Sequence, residues 1–176
     1  VEQLLKVMMV HSANDAANVL AYHVSGSIDS FAELMNQKVS ELGLQNTHFM
    51  NPHGLTNEDH YTSVYDIYLI FQEALKYDVF QDIISRKNYY AEYTKADGSS
   101  AAMTWESTNH YFTNEAHAPE DVIICGGKTG TTDLAGNCLI LLTEEDDHPY
   151  ISLVMNADTK SLLYKDMTAI VEAIPE

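Results

Sequence analysis

Three stretches rich in β-branched and aliphatic residues follow one another in the last third of the chain: Val122 to Lys128, Asn137 to Thr143 and Tyr150 to Asn156. The turn-forming segments between them are too short for a parallel crossover, which needs a dozen or more residues, so the strands must pair as an antiparallel meander. A helical pattern from Ser161 to Ala173 closes the run. The first half has the other period. Leu4, Leu5, Met8 and Met9 lie on one helical stripe within residues 2–10, and Ala17, Leu20, Ala21 and Val24 on another within residues 14–24. His11-Ser12-Ala13 separates them, with Asn14 placed to cap the second helix.

Gly26 reads as a helix stop and Ser27 as the cap of a helix over 28–42 that closes at Gly43. Residues 44–61, rich in Asn, His, Pro and Gly, read as a long irregular loop, followed by a helix over 63–76 capped by Thr62 or Ser63. Tyr89 to Thr94 and Ser99 to Trp105 alternate across Asp97-Gly98, a hairpin signal. Helices first and an antiparallel meander second spell an α+β fold. The expected domain is a single one over 1–176, with a helical lobe over about 1–86 and a sheet part over about 87–176. Its cleft should lie where the two parts meet, holding Ser12, Asn14 and Lys128.

Nine basic against 26 acidic residues give a formal charge of −17. Such a surface repels phosphate backbones and anionic lipid head groups, so nucleic acid is not an expected partner. No run of about 18 apolar residues occurs, so no membrane-spanning helix is expected. The eight histidines lack the i, i+4 spacing or Cys/His clustering of zinc sites, and no metal or other cofactor is expected; His48 and His53 read as satisfying loop backbone groups. The tyrosines at 89, 90 and 93 read as sheet packing. Two cysteines leave two readings open. With a turn near Thr131 to Gly136, Cys125 and Cys138 would face each other and could pair, or both stay buried free thiols.

Gly127-Lys128-Thr129-Gly130-Thr131-Thr132 delivers a Lys-Thr-Gly triplet along a strand, where a ligand can lie against the backbone. With Ser12-Ala13-Asn14 it resembles two of the three motifs of the penicillin-recognising serine enzymes. The loop Asn46-Thr47-His48-Phe49-Met50-Asn51-Pro52-His53-Gly54-Leu55 extends the likeness. The chain therefore resembles the serine-type D-alanyl-D-alanine carboxypeptidases, the low-molecular-mass penicillin-binding proteins, nearly end to end.

The resemblance implies a β-lactamase/DD-peptidase-like fold and an acyl-enzyme mechanism on peptidoglycan stem peptides ending in D-Ala-D-Ala. β-Lactam antibiotics would be further ligands, and the cell envelope outside the cytoplasm the place of action. It gives Ser12 a proton relay to the departing D-alanine, Asn14 the acyl-side amide, and Lys128 and Thr129 the substrate carboxylate. Gly130 would leave room for the ligand, and the Thr131 N–H would donate to the oxyanion. Relatives often grip the carboxylate with an arginine after the triplet. Here Asn156-Ala157-Asp158-Thr159-Lys160 has none, which leaves Lys160 as a substitute without the fork geometry.

The third motif, a serine three residues before a lysine, occurs nowhere in the 176 residues. Cys125 precedes Lys128 by three, but strand residues three apart point to opposite faces. The chain reads as the C-terminal part of a catalytic domain, inactive alone. Such a part would leave the edge near Tyr150 to Asn156 uncovered and prone to dimerise or aggregate. A β-lactamase-like hydrolase and a non-catalytic peptidoglycan- or partner-binding module are the alternatives.

Overall fold

The computed structural model describes residues 1–174 of the chain. Five helices come first: α1 (Glu2–His11), α2 (Asn14–Ser25), α3 (Ile28–Glu41), α4 (Val64–Ala74) and α5 (Asp78–Ile84). The hairpin β1 (Asn88–Thr94) and β2 (Ser100–Glu106) follows, then a short α6 (His110–Thr113). The meander β3 (Ile123–Thr132), β4 (Gly136–Glu145) and β5 (His148–Ala157) leads into α7 (Lys160–Glu172). The architecture is α+β, and both sheets are antiparallel.

Helix ends are set by local chemistry. Ser27 Oγ accepts from Ser30 N at 3.0 Å, and Ser63 Oγ from Asp66 N at 3.2 Å, each satisfying a donor of the first turn. Gly26, at φ 81°, closes α2 in the left-handed region that a side chain would penalise. Asn14 is not a cap. Ser12 itself turns left-handed (φ 57°, ψ 41°) and ends α1, so the extended residue at the N-cap of α2 is Ala13 and Asn14 is already helical.

Strand β4 shows why the sheet organises the molecule. Leu139 and Leu141 point to one face, where Leu163, Met167 and Val171 of α7 cover them at helical spacing. Ile140 and Leu142 point to the other, against Phe71 of α4 and Ile84 of α5. A strand buried on both sides becomes the middle layer of helix, sheet and helix. The hairpin β1-β2 is a separate sheet, in which Tyr89 stacks on Trp105 at 6.2 Å while Tyr90 and Tyr93 stay exposed.

The cysteines do not face each other. Strand β3 runs on to Thr132 and the turn takes only residues 133–135, so Cys138 lies opposite Gly130. The register shifts between Ile124 and Gly126, leaving Cys125 as the extra residue of a bulge. Both thiols are free and half-buried. Burial, then the nearby charge of Glu144, pushes the Cys125 thiol up from its ordinary value.

Candidate active site

Two adjacent glycines let β3 lie where it does. A Cβ on Gly127 would sit 2.4 Å from the Ile140 carbonyl oxygen, and one on Gly126 would sit 2.7 Å from Ile84 Cγ1. Side chains at either position would lift the strand off β4 or off α5. The next residue, Lys128, is thereby carried to the turn between α1 and α2. Its Nζ donates to Ser12 Oγ and, at 2.7 Å, to the Thr129 carbonyl oxygen. Burial lowers the Lys128 pKa to about 8, since little water is left to solvate the ammonium and no carboxylate replaces it.

A cavity of about 470 Å³ opens beside this contact. Ser12 and Asn14 line one wall, and Lys128, Thr129, Gly130 and Thr131 another. Pro52 to Leu55 close a third side. The six residues singled out from sequence thus border one space. Lys160, the first residue of α7, reaches the same cavity and forms no ion pair among the described residues. The chain's single arginine is elsewhere: Arg86 makes both its short contacts to the Asp82 carboxylate, at 2.7 and 3.0 Å.

Charge distinguishes the cavity from the rest of the surface. Among the described residues no Asp or Glu lines it, although the chain carries 26 of them. Two of the nine basic residues do. Two lysines without a neighbouring carboxylate, on a protein of charge −17, make the cavity a local positive site, and such a site attracts anions. A Cβ on Gly130 would meet nothing within 4 Å, so the backbone there is open to a ligand lying along the strand.

The wall at Pro52 to Leu55 is held from behind. The Asp66 carboxylate, buried in α4, accepts from Asn46 N at 2.8 Å and from Thr47 Oγ1 at 2.7 Å. Asn36 pairs with Phe49 as a strand would, through two 2.8 Å bonds. The loop histidines serve the backbone: His48 Nδ1 contacts Asp59 O at 2.7 Å, and His53 and His60 Nδ1 each accept an N–H at 3.2 Å. Burial, with His53 and His48 nearby, keeps the His60 pKa below its ordinary value.

Sequence reasoning missed three contributors. Thr108 stands 2.6 Å from Thr129, hydroxyl to hydroxyl; Tyr164 Oη accepts from His110 N at 2.8 Å while the two rings stack at 4.6 Å; and Asn137 Nδ2 reaches Ala157 O at 3.0 Å, bracing the strands behind Thr131. Tyr164 and Asn137 fall within a helix and a strand expected from sequence and Thr108 in neither, but the contacts join residues far apart in the chain or depend on the register, so only the fold reveals them.

Comparison with known proteins points the same way. The sequence profile of the family described as D-alanyl-D-alanine carboxypeptidase matches residues 1–159. D-alanyl-D-alanine carboxypeptidase DacF of Bacillus subtilis is 35% identical over 159 residues, covering 90% of this chain and 38% of that protein. DacA of Escherichia coli is also 35% identical over 159 residues, with 90% and 36% covered. The chain therefore spans well under half the length of these curated relatives. The crystal structure of the Streptomyces K15 DD-transpeptidase superposes with a TM-score of 0.88 at 30% identity, over 98% of this chain and 66% of that one. With the family profile matched along most of its length and the fold shared, the chain belongs to the D-alanyl-D-alanine carboxypeptidase family.

Proposed function

We propose that this chain supplies the substrate-holding and proton-relay groups of a serine-type D-Ala-D-Ala carboxypeptidase acting on peptidoglycan stem peptides outside the cytoplasmic membrane. The observation that carries the reading is the Lys128 ammonium against the Ser12 hydroxyl, at the wall of a cavity without a described carboxylate. A terminal D-alanine carboxylate is drawn to Lys128 and Lys160 and accepts a hydrogen bond from Thr129 Oγ1. Asn14 holds the acyl-side amide, and the Thr131 N–H faces the oxygen on which charge develops. The β-lactam carboxylate uses the same grip.

Proton transfer follows from the contact. Ser12 Oγ passes its own proton to the nitrogen of the departing D-alanine and takes one from Lys128 Nζ, so its charge does not change. A donor with a pKa of about 8 gives up that proton near neutral pH far more readily than an exposed lysine would. The attacking nucleophile is not among these groups, since no serine of the 176 residues has a lysine three positions later. That fact favours a second reading, a module that binds the stem peptide without turning it over.

Titrating the isotopically labelled chain with diacetyl-L-lysyl-D-alanyl-D-alanine tests the shared part of both readings. Amide shifts should move at Ser12, Asn14 and Thr129 to Thr131. Shifts confined to other surfaces would sink the assignment. A fluorescent penicillin checks the missing nucleophile: a labelled band that survives boiling would show an acylating nucleophile within the 176 residues and overturn the binding-only reading.

A further inference from the structure

The hydroxyls of Thr108 and Thr129 lie 2.6 Å apart. We propose that Thr108 is a positioning residue, whose hydroxyl turns the Thr129 proton toward an anion in the cavity. The inference rests on the reading of Thr129 as a carboxylate donor. A threonine hydroxyl has one proton and two lone pairs. If Thr129 spends its proton on Thr108, it presents only lone pairs to the cavity and repels a carboxylate. When Thr108 is the donor, the Thr129 proton is excluded from that direction and left for the ligand. A carboxylate accepts only, so its arrival selects this second arrangement, and the chain Thr108 to Thr129 to carboxylate polarises in one sense.

Thr108 is placed to hold that direction. Its backbone N–H donates to Val10 O at 3.2 Å, in the last turn of α1, two residues before Ser12. The neighbouring Ser107 N–H donates to Lys87 O at 2.9 Å, and the Asn109 side chain caps α6 through Tyr111 N at 3.2 Å. Asn109 is buried and Thr108 half-buried, so the segment cannot swing away to water. Thr108 therefore joins the helix that ends at Ser12 to the strand that carries the Lys-Thr-Gly triplet. No other hydrogen bond of the Thr108 hydroxyl occurs among the described residues, which leaves its proton for Thr129.

The test compares two ligands in the NMR titration, acetyl-D-alanyl-D-alanine and its C-terminal amide. Only the acid requires an oriented donor, because the amide can donate as well as accept. Thr108→Val puts a methyl where a 2.6 Å contact now stands, pushing the Thr129 hydroxyl aside, and Thr108→Ala removes the donor without crowding. Both should weaken the acid about tenfold and the amide less than about twofold, the usual scale for one hydrogen bond to a charged group. Thr108→Ser should restore the preference. A purely structural role would lower both ligands together, or leave Thr108→Ser as impaired as Thr108→Ala, and either result overturns the proposal. Thr129→Val separates the inference from the reading beneath it. If that variant loses the acid preference while Thr108→Ala keeps it, Thr108 is not the positioning residue and the site stands. If Thr129→Val binds the acid as tightly as the parent does, Thr129 is not a carboxylate donor and the inference falls with that reading.

Discussion

Replacing Gly127 and Gly130, one at a time, by alanine separates what the triplet strand does for the fold from what it does for a ligand. The two glycines are three residues apart on β3, yet their surroundings are opposites. At Gly127 the new methyl would stand 2.4 Å from the Ile140 carbonyl oxygen and 2.9 Å from Leu141 Cδ2. A comfortable carbon–oxygen contact is about an ångström longer, and the first neighbour is backbone, which cannot rotate away. Relief therefore requires β3 to move off β4 just before Lys128. Overpacking of this kind typically costs about 1–3 kcal/mol, and backbone strain puts Gly127→Ala toward the upper end. At Gly130 the methyl meets nothing within 4 Å. Loss of chain entropy in the unfolded state should leave Gly130→Ala neutral or more stable by about 0.5 kcal/mol. Urea denaturation of both variants checks this, with unchanged m-values required for the comparison. In the peptide titration the order should invert in kind: folded Gly130→Ala loses ligand because its methyl occupies the open strand. A Gly127→Ala variant as stable as the parent would refute the packing argument, and an unimpaired titration of Gly130→Ala would refute the ligand path.

Lys128 should leave a pH signature: its folded pKa of about 8 lies below the unfolded 10.5, so between these values the unfolded state holds the extra proton and stability rises with pH. The gain across that window is about 3 kcal/mol, and Lys128→Met should abolish the slope while stabilising the chain at pH 7; a slope retained in the variant would mean another group titrates. Asp66→Ala leaves the Asn46 N–H and Thr47 hydroxyl without this acceptor, at a cost of about 3 kcal/mol, and hydrogen exchange over residues 44–61 should accelerate; unchanged protection would show that Asn36 and the His48–Tyr61 bridge hold the loop without Asp66. Strand β5 pairs only with β4 among the described residues, and residues 148–157 include no Asp, Glu, Lys or Arg, so the isolated chain should self-associate through that edge. Sedimentation showing a monomer at every concentration would count against this.

The sequence by itself determined the elements whose signal is local. β-Branched and aliphatic runs over β3, β4 and β5 with short turns between them dictated an antiparallel meander, and Gly26-Ser27 and Ser63 marked helix ends because capping is chemistry among neighbours in the chain. The triplet and Ser12-Ala13-Asn14 were legible as motifs because their spacing is fixed along the backbone. Helices α5 and α6, of seven and four residues, escaped because so few residues cannot establish a helical period. Register was the clearest failure of local reasoning. The turn closes at residues 133–135, which puts Cys138 opposite Gly130, and the bulge takes Cys125 out of the ladder, since hairpin pairing depends on where the turn is centred and not on which residues could pair. The lowered pKa of Lys128, the cavity without described acids, the hold of Asp66 on its loop and the Thr108–Thr129 contact all join residues far apart in the chain. Desolvation, field and hydroxyl direction depend on what surrounds a group in space, and only the packed structure supplies that.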